Sequence, residues 1–504
     1  MNRVHLFAIS LASALLAFAP FSAQAPHTPT IDESIGLASV GFPRISPDGR
    51  FVAYRVRQAD WKENAWVVQI WLANVSSGSR FQLTRGKKSA GPAEWSPDGR
   101  WIAFVTQRES SAIEPPPEKK EETPAKEAEA SGGKLAESQI WLISPDGGEA
   151  WQLTKSETDI GAFRWSKDGK WLAFTASPPE SKSRKERKEK YGDYQVYEKD
   201  YDQNQLWLVD VSAATATMLP AAAKQITTDQ SLNVVSFAWS PDSTRIAFAA
   251  TRNPLLAFRS EVDIYLLDRS QENAVRKIVA LEGPDSSPVF SPDGRRLAFS
   301  TSLAQPGFYY ANGHIAVVDV ATVASRPAAT PAEVRDLTAK FDEDVSPEMW
   351  GPEGIYFGAL QRTNSHLFLV DPETLAVKRL TGPDTFFLGD ASFTRDFKTM
   401  AFVAADATHM DEVYVTQVTP FSPRKLTDMT AQVSGWRLGT VELVSWKSQD
   451  GVTIEGVLHK PADYDAGRKY PLLVLIHGGP TGISWPTLSP EEYAYPVQMF
   501  LAKG

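Results

Sequence analysis

The chain has 504 residues, 42% of them apolar, with 52 basic against 61 acidic side chains and a net charge of −9 at pH 7. That length supports two or more domains around sizeable cores, and the acidic balance argues against a nucleic-acid partner. The lack of cysteine excludes disulfides, thiolate metal sites, a cysteine nucleophile and a cysteine-linked lipid.

Arg3 in a short polar start, an apolar run from Leu6 to Phe18 broken by Ser10 and Ser13, and then Ala23-Gln24-Ala25 make the pattern of a secretory signal peptide. The run is shorter than the roughly 20 residues a bilayer span requires. Residues 1–25 are therefore expected to be cleaved, and the mature chain to start at Pro26. The product is expected to be secreted or periplasmic, without membrane insertion. Ile31 to Ala38 offers one or two helical turns.

A repeat then organises the chain. Its clearest copy is Trp95-Ser96-Pro97-Asp98-Gly99-Arg100, leading into Trp101-Ile102-Ala103-Phe104. Related copies stand at 46–49, 166–169, 240–243 and 291–294, with worn ones at 351–354 and 394–397. Pro presets φ for the first corner, Asp bonds the local backbone and Gly accepts positive φ, so each copy reads as strand, tight turn, strand. A second apolar run and a short segment ending in Leu-Thr follow most copies, as in Gln69-Ile70-Trp71-Leu72 with Gln82-Leu83-Thr84. Four short strands per repeat is the unit of a β-propeller blade, which needs roughly 40 to 50 residues. Seven blades over residues 31–432 are predicted.

Two insertions lengthen the wider intervals. Residues 109–138, with Pro115-Pro116-Pro117 and mixed Glu, Lys and Ala, lack the apolar surface to order themselves and are expected to be a disordered loop. Within 177–204, the cations of Lys182 to Lys190 interleave with Glu186 and Glu189 at helix-pair spacing, which predicts a solvated helix. Asp200-Tyr201-Asp202 resembles the opening of a calcium loop, but Gln205 and Val211 stand where Gly and a bidentate Glu are required. The seven histidines include no pair at i and i+4, so no metal site is expected.

From Val441 the pattern changes. Val441 to Trp446 and Thr453 to Leu458 flank an Asp450-Gly451 hairpin turn. Tyr470 to Ile476 is a continuous apolar run of the kind a buried α/β strand shows, and it ends in His477-Gly478-Gly479-Pro480. Ser489-Pro490-Glu491-Glu492 reads as a capping box opening a helix from Glu491 to Ala502. A strand ending in two glycines can turn backbone N–H groups toward an open position, as an oxyanion hole requires. Gly479 is the first candidate donor and Gly478 the second, with His477 shaping the turn.

These features together resemble the prolyl oligopeptidase family of serine peptidases, in its acylaminoacyl-peptidase and dipeptidyl-peptidase branch. The resemblance rests on the Ser-Pro-Asp-Gly repeats, then Asp450-Gly451, Ile454, Gly456, Leu458 and Pro461, then Tyr470-Pro471-Leu472 and His477-Gly478-Gly479-Pro480. It implies an all-β seven-bladed propeller followed, from residue 433, by the N-terminal strands of an incomplete α/β-hydrolase domain at 433–504. It also implies a Ser-His-Asp peptidase releasing dipeptides or acylated amino acids from the N-terminus of short peptides, with no cofactor. Family members that take free N-termini hold the amine with carboxylates, for which Glu198, Asp200 and Asp202 are candidates by charge. The sequence departs from the family at one point: no Gly-x-Ser-x-Gly elbow occurs, and the triad is expected beyond residue 504. This chain alone is then expected to be inactive. The alternative is a non-catalytic TolB-like propeller that binds protein partners in the cell envelope, and a sugar-lyase or glycosidase propeller lacks an identifiable acidic pair. Cleavage preference and oligomeric state stay open.

Overall fold

The computed structural model describes residues 25–108, 137–194, 196–197, 199–255, 260–305, 307–325, 329–384, 386–479, 482–489 and 494–504. The signal peptide expected over 1–25 and the insertion expected over 109–138 lie, except for Ala25, Glu137 and Ser138, outside the described residues.

The repeated turn owes its stability to a residue the sequence reading left unused, its leading serine. The Ser46 hydroxyl donates to Asp48 Oδ1 at 2.6 Å and accepts from the Phe51 N–H at 3.0 Å, while Asp48 Oδ1 accepts from the Arg50 N–H at 3.1 Å. The same three bonds recur around Ser96, Ser166, Ser240, Ser291 and Thr394, all buried. Burying a hydroxyl is tolerated because both its donor and its acceptor capacity are used. Gly49, Gly99, Gly169 and Gly294 take φ between 70° and 76° at the fourth position, where Ser243 and Phe397 are held at 60° and 57°.

The Leu-Thr signal has a comparable cause. The Ile70 N–H donates to Thr84 Oγ1 at 2.9 Å and the Thr84 hydroxyl donates to Gln69 Oε1 at 2.8 Å, fastening a fourth strand of two or three residues to the third. Thr154 and Thr227 repeat the clasp with Gln139 and Gln205.

Each copy of the repeat thus closes a four-stranded antiparallel set. The first is Ser39–Ile45, Phe51–Asp60, Ala65–Asn74 and Arg80–Gln82, and six more follow within 90–152, 160–225, 233–279, 286–336, 349–379 and 387–425. The last two share one eight-stranded sheet through the parallel pair Ser365 and Phe387. Apolar faces of successive sets bury each other. Ile70 and Leu72 of the first set pack on Phe104 and Trp141 of the second, and Val52 and Tyr54 of the first pack on Val403 and Val413 of the last. The architecture is mostly β and propeller-like, and among the described residues no sheet closes on itself.

Residues in and beside the first and last sets bond to one another. Gln432 Oε1 accepts from the Ala38 N–H at 2.8 Å while its Nε2 donates to the Ala38 carbonyl at 3.1 Å, so one amide side chain satisfies both backbone groups of the residue just ahead of the first strand. The Ile45 N–H donates to Ser392 Oγ at 2.9 Å, and the Arg395 N–H to the Pro47 carbonyl at 3.2 Å.

The hairpin predicted after the repeats is present as Thr440–Lys447 and Thr453–Lys460, with Gly451 at φ 86° in its turn. Two expectations fail beyond it. Tyr470 to Ile476 is not a buried strand: the run is irregular, and Leu472, Val474 and Ile476 are exposed. A buried strand needs ladder partners, and none pairs with this run among the described residues. Of the helix expected from Glu491 to Ala502 and its capping box, residues 490–493 lie outside the described residues, 494–496 are not helical, and the helix observed is Val497–Lys503. Pro496 has no N–H for a preceding turn and its ring opposes one, so the helix begins after it.

Candidate functional site

Alternation within each set places the connection between second and third strands at one end, opposite the Ser-Pro-Asp-Gly turns. The segment from 433 onward docks at that end. Trp485 stacks on Phe387 at 4.4 Å between ring centroids, the Leu488 N–H donates to the Asp406 carbonyl at 3.0 Å, and Arg362 pairs with Glu455 at 3.5 Å. Val433, Trp436 and Leu488 form a small core there with Leu37, Met410 and Leu438.

The His477-Gly478-Gly479 turn lies six residues ahead of Trp485 along the chain, which limits it to about 21 Å from the stacked pair even fully extended. His477 Nδ1–H donates to the Gly478 carbonyl at 2.9 Å, so the imidazole braces the turn. A Cβ on Gly478 would meet nothing within 4 Å, and Gly479 takes φ 156°. The chain then folds back so closely that a Cβ on Gly482 would collide with the Gly478 carbonyl. The turn is exposed.

The carboxylate candidates sit in the insertion between second and third strands of the third set, hence at the same end. Glu198 lies outside the described residues. Asp200 and Asp202 are engaged by the helix Lys182–Tyr191: Arg187 Nη2 meets Asp200 Oδ2 at 2.5 Å and Arg184 Nη1 meets Asp202 Oδ1 at 2.6 Å. The Arg187 contact, joined by the Val196 N–H, holds the Asp200 carboxyl below its ordinary range. Solvated the helix is, since it buries none of its residues. The structure thus pairs these two carboxylates with arginines rather than bringing them to the glycine turn.

Sequence reasoning missed a band of charge on the first strands of the sets. From the first set to the sixth these strands touch one another, and that of the first set touches that of the last. Glu94 bridges Arg164 at 3.1 Å and Arg44 at 3.8 Å, tying three sets together. Burial pushes the Lys167 ammonium down and the Glu348 carboxyl up, the latter opposed by the Gly358 N–H and raised further by Asp390. The only signal was position, since Arg44, Glu94 and Arg164 each stand two residues before a turn serine. Among the described residues, no cluster of three or more acidic or histidine side chains is arranged to hold a metal, and no helix is long and apolar enough to cross a membrane.

No family model matches the chain. It is 25% identical to dipeptidyl-peptidase 5 of Porphyromonas endodontalis over 88% of its own length and 62% of that protein's. Among solved structures it superposes on Pyrococcus horikoshii acylaminoacyl peptidase with a TM-score of 0.67 at 18% identity, covering 95% of this chain and 66% of that one. The relatives and the structural neighbours are peptidases, in keeping with the resemblance to the prolyl oligopeptidase family. The β-propeller domain of the trilobed protease from Pyrococcus furiosus is covered over 99% of its length, with 78% of this chain, a TM-score of 0.51 and 16% identity. The likeness in fold to the acylaminoacyl peptidase therefore runs through the propeller-like sets and on into the residues after 433, and this chain spans less than two thirds of the dipeptidyl-peptidase's length.

Proposed function

We propose that this chain is the propeller and the opening of the peptidase domain of an exported serine exopeptidase. In this reading residues 31–432 form a closed seven-bladed ring, and residues 433–504 begin an α/β-hydrolase domain. Residues 1–25 are a cleaved signal, and the enzyme acts in the periplasm or outside the cell. It releases dipeptides or acylated amino acids from the N-terminus of short peptides.

The observation that carries the reading is the match of 88% of the chain to a dipeptidyl-peptidase. The chemistry follows the family: a serine attacks the scissile carbonyl, a histidine takes its proton and an aspartate orients the histidine. Those three groups would come from outside the 504 residues, whereas Gly479 N–H, with Gly478 N–H as second choice, would hold the developing oxyanion. One such donor is worth roughly 10²- to 10³-fold in turnover. Asp200 and Asp202 would meet a substrate amine only by exchanging Arg187 and Arg184 for it.

The test is hydrolysis of fluorogenic dipeptidyl and N-acyl-aminoacyl substrates by the natural protein purified from its source. Release from one class and not from internal sites of longer peptides supports an exopeptidase. Cleavage only at internal sites, or no cleavage by the natural full-length protein, overturns it.

A further inference from the structure

The first strand of the first set carries a residue out of keeping with its counterparts. Four residues before the turn serine or threonine stand Phe42, Pro92, Ala162, Ser236, Ser287 and Asp390, and only the first is a large apolar side chain. The strand slips register between Gly41 and Arg44 and holds Phe42 at φ 52°. A bulky residue in that left-handed region is strained. The fifth set places Ser287 at the same φ with a similar slip, so the bulge itself does not call for a ring.

Burial does not account for Phe42 either, because 40% of it is exposed. Its other side rests on a built shelf. The Arg55 guanidinium carbon lies 4.1 Å from the ring centroid, and the Arg55 side chain fits against Gly91, where a Cβ would stand 3.1 Å from Arg55 Cδ. An aromatic ring held in a strained backbone, supported on one face and left open to water on the other, is placed for a contact that the chain itself does not supply. Strain at such a position marks function when packing does not explain it.

We propose that Phe42, supported by Arg55, is a specificity-determining contact that receives an apolar side chain of the peptide substrate. The inference rests on the peptidase reading above and adds to it a residue on the propeller. Its occupant is an apolar residue because the open face is a ring without a free polar group of its own.

The test compares the intact chain with its Phe42→Gly and Phe42→Tyr variants by calorimetric titration of two pentapeptides that differ only in one leucine replaced by serine. The expected result is a preference of about tenfold for the leucine peptide, as covering one more apolar side chain brings. Phe42→Gly removes that preference and leaves the melting temperature unchanged or higher, because glycine accepts φ 52° without strain. Phe42→Tyr retains it. Equal preference in Phe42→Gly, a clear fall in its melting temperature, or no preference in the parent chain overturns the assignment. Hydrolysis by the natural protein separates the two levels. Cleavage with selectivity unchanged by Phe42→Gly sinks the assignment of Phe42 alone, and no cleavage of any peptide sinks the peptidase reading with it.

Discussion

Replacing Gln432 should loosen the meeting of the first and last sets more than any single apolar truncation at the surface. Its amide makes two bonds to Ala38, at 2.8 and 3.1 Å, and Nε2 also donates to the Met429 carbonyl at 3.0 Å. Ala38 is 7% exposed, so water does not readily replace the lost partner. Two net hydrogen bonds at about 1 kcal/mol each, plus part of the cost of stranding a buried amide, give about 2 to 4 kcal/mol. With roughly 2.1 cal/mol/K of unfolding entropy per residue over about 400 residues, that corresponds to a fall in Tm of about 2 to 5 °C. Gln432→Met keeps the side-chain volume and loses the bonds, which isolates polarity from packing. Scanning calorimetry gives the stability change, and hydrogen exchange at the Ala38 amide reports opening of the seam. A Tm within about 1 °C of the parent chain, with Ala38 exchange unchanged, would refute the reasoning.

Other parts of the chain give independent tests. Asp285 is fully buried, and burial pushes its carboxyl up to about 6. The folded state then binds a proton more tightly than the unfolded one, so the chain loses stability as pH rises from about 4 to about 6 and carries the full cost above that. Asp285→Asn should raise stability at pH 7.5 by about 2 to 3 kcal/mol and flatten the dependence between pH 4 and 6, read by urea unfolding at both pH values. Ser96→Ala strands Asp98 and the Trp101 N–H and should cost about 1 to 3 kcal/mol by the same assay. Asp200→Asn removes the charge that Arg187 meets, and because the helix 182–191 buries nothing, tryptic cleavage within it should quicken while the rest of the chain stays resistant.

What the sequence revealed and what it hid divide along the range of the forces involved. The Ser-Pro-Asp-Gly turns and the Asp450-Gly451 hairpin were legible because their geometry is set within five residues. The role of the turn serine was present in the same letters, yet its buried, doubly bonded hydroxyl becomes evident only once the fifth residue folds back onto it. Asp200 and the cations of 182–190 were both noticed, but not their pairing, which depends on how the insertion doubles back over 13 residues. Tyr470 to Ile476 shows the opposite error: an apolar run states a preference for burial and does not supply the neighbouring strands. Pro496 could have corrected the helix start directly, since its missing N–H is a local fact. Phe42 was invisible as a site because its strain and exposure come from a register slip against the next strand.

The central claim is that these propeller-like sets belong to a serine peptidase. The most direct test is to treat the natural protein, purified from its source, with a fluorophosphonate and measure its intact mass. The account predicts a labelled species well above 55.5 kDa, with label lost after heat denaturation before treatment. An unlabelled species of any mass, from protein shown to be folded, would contradict it.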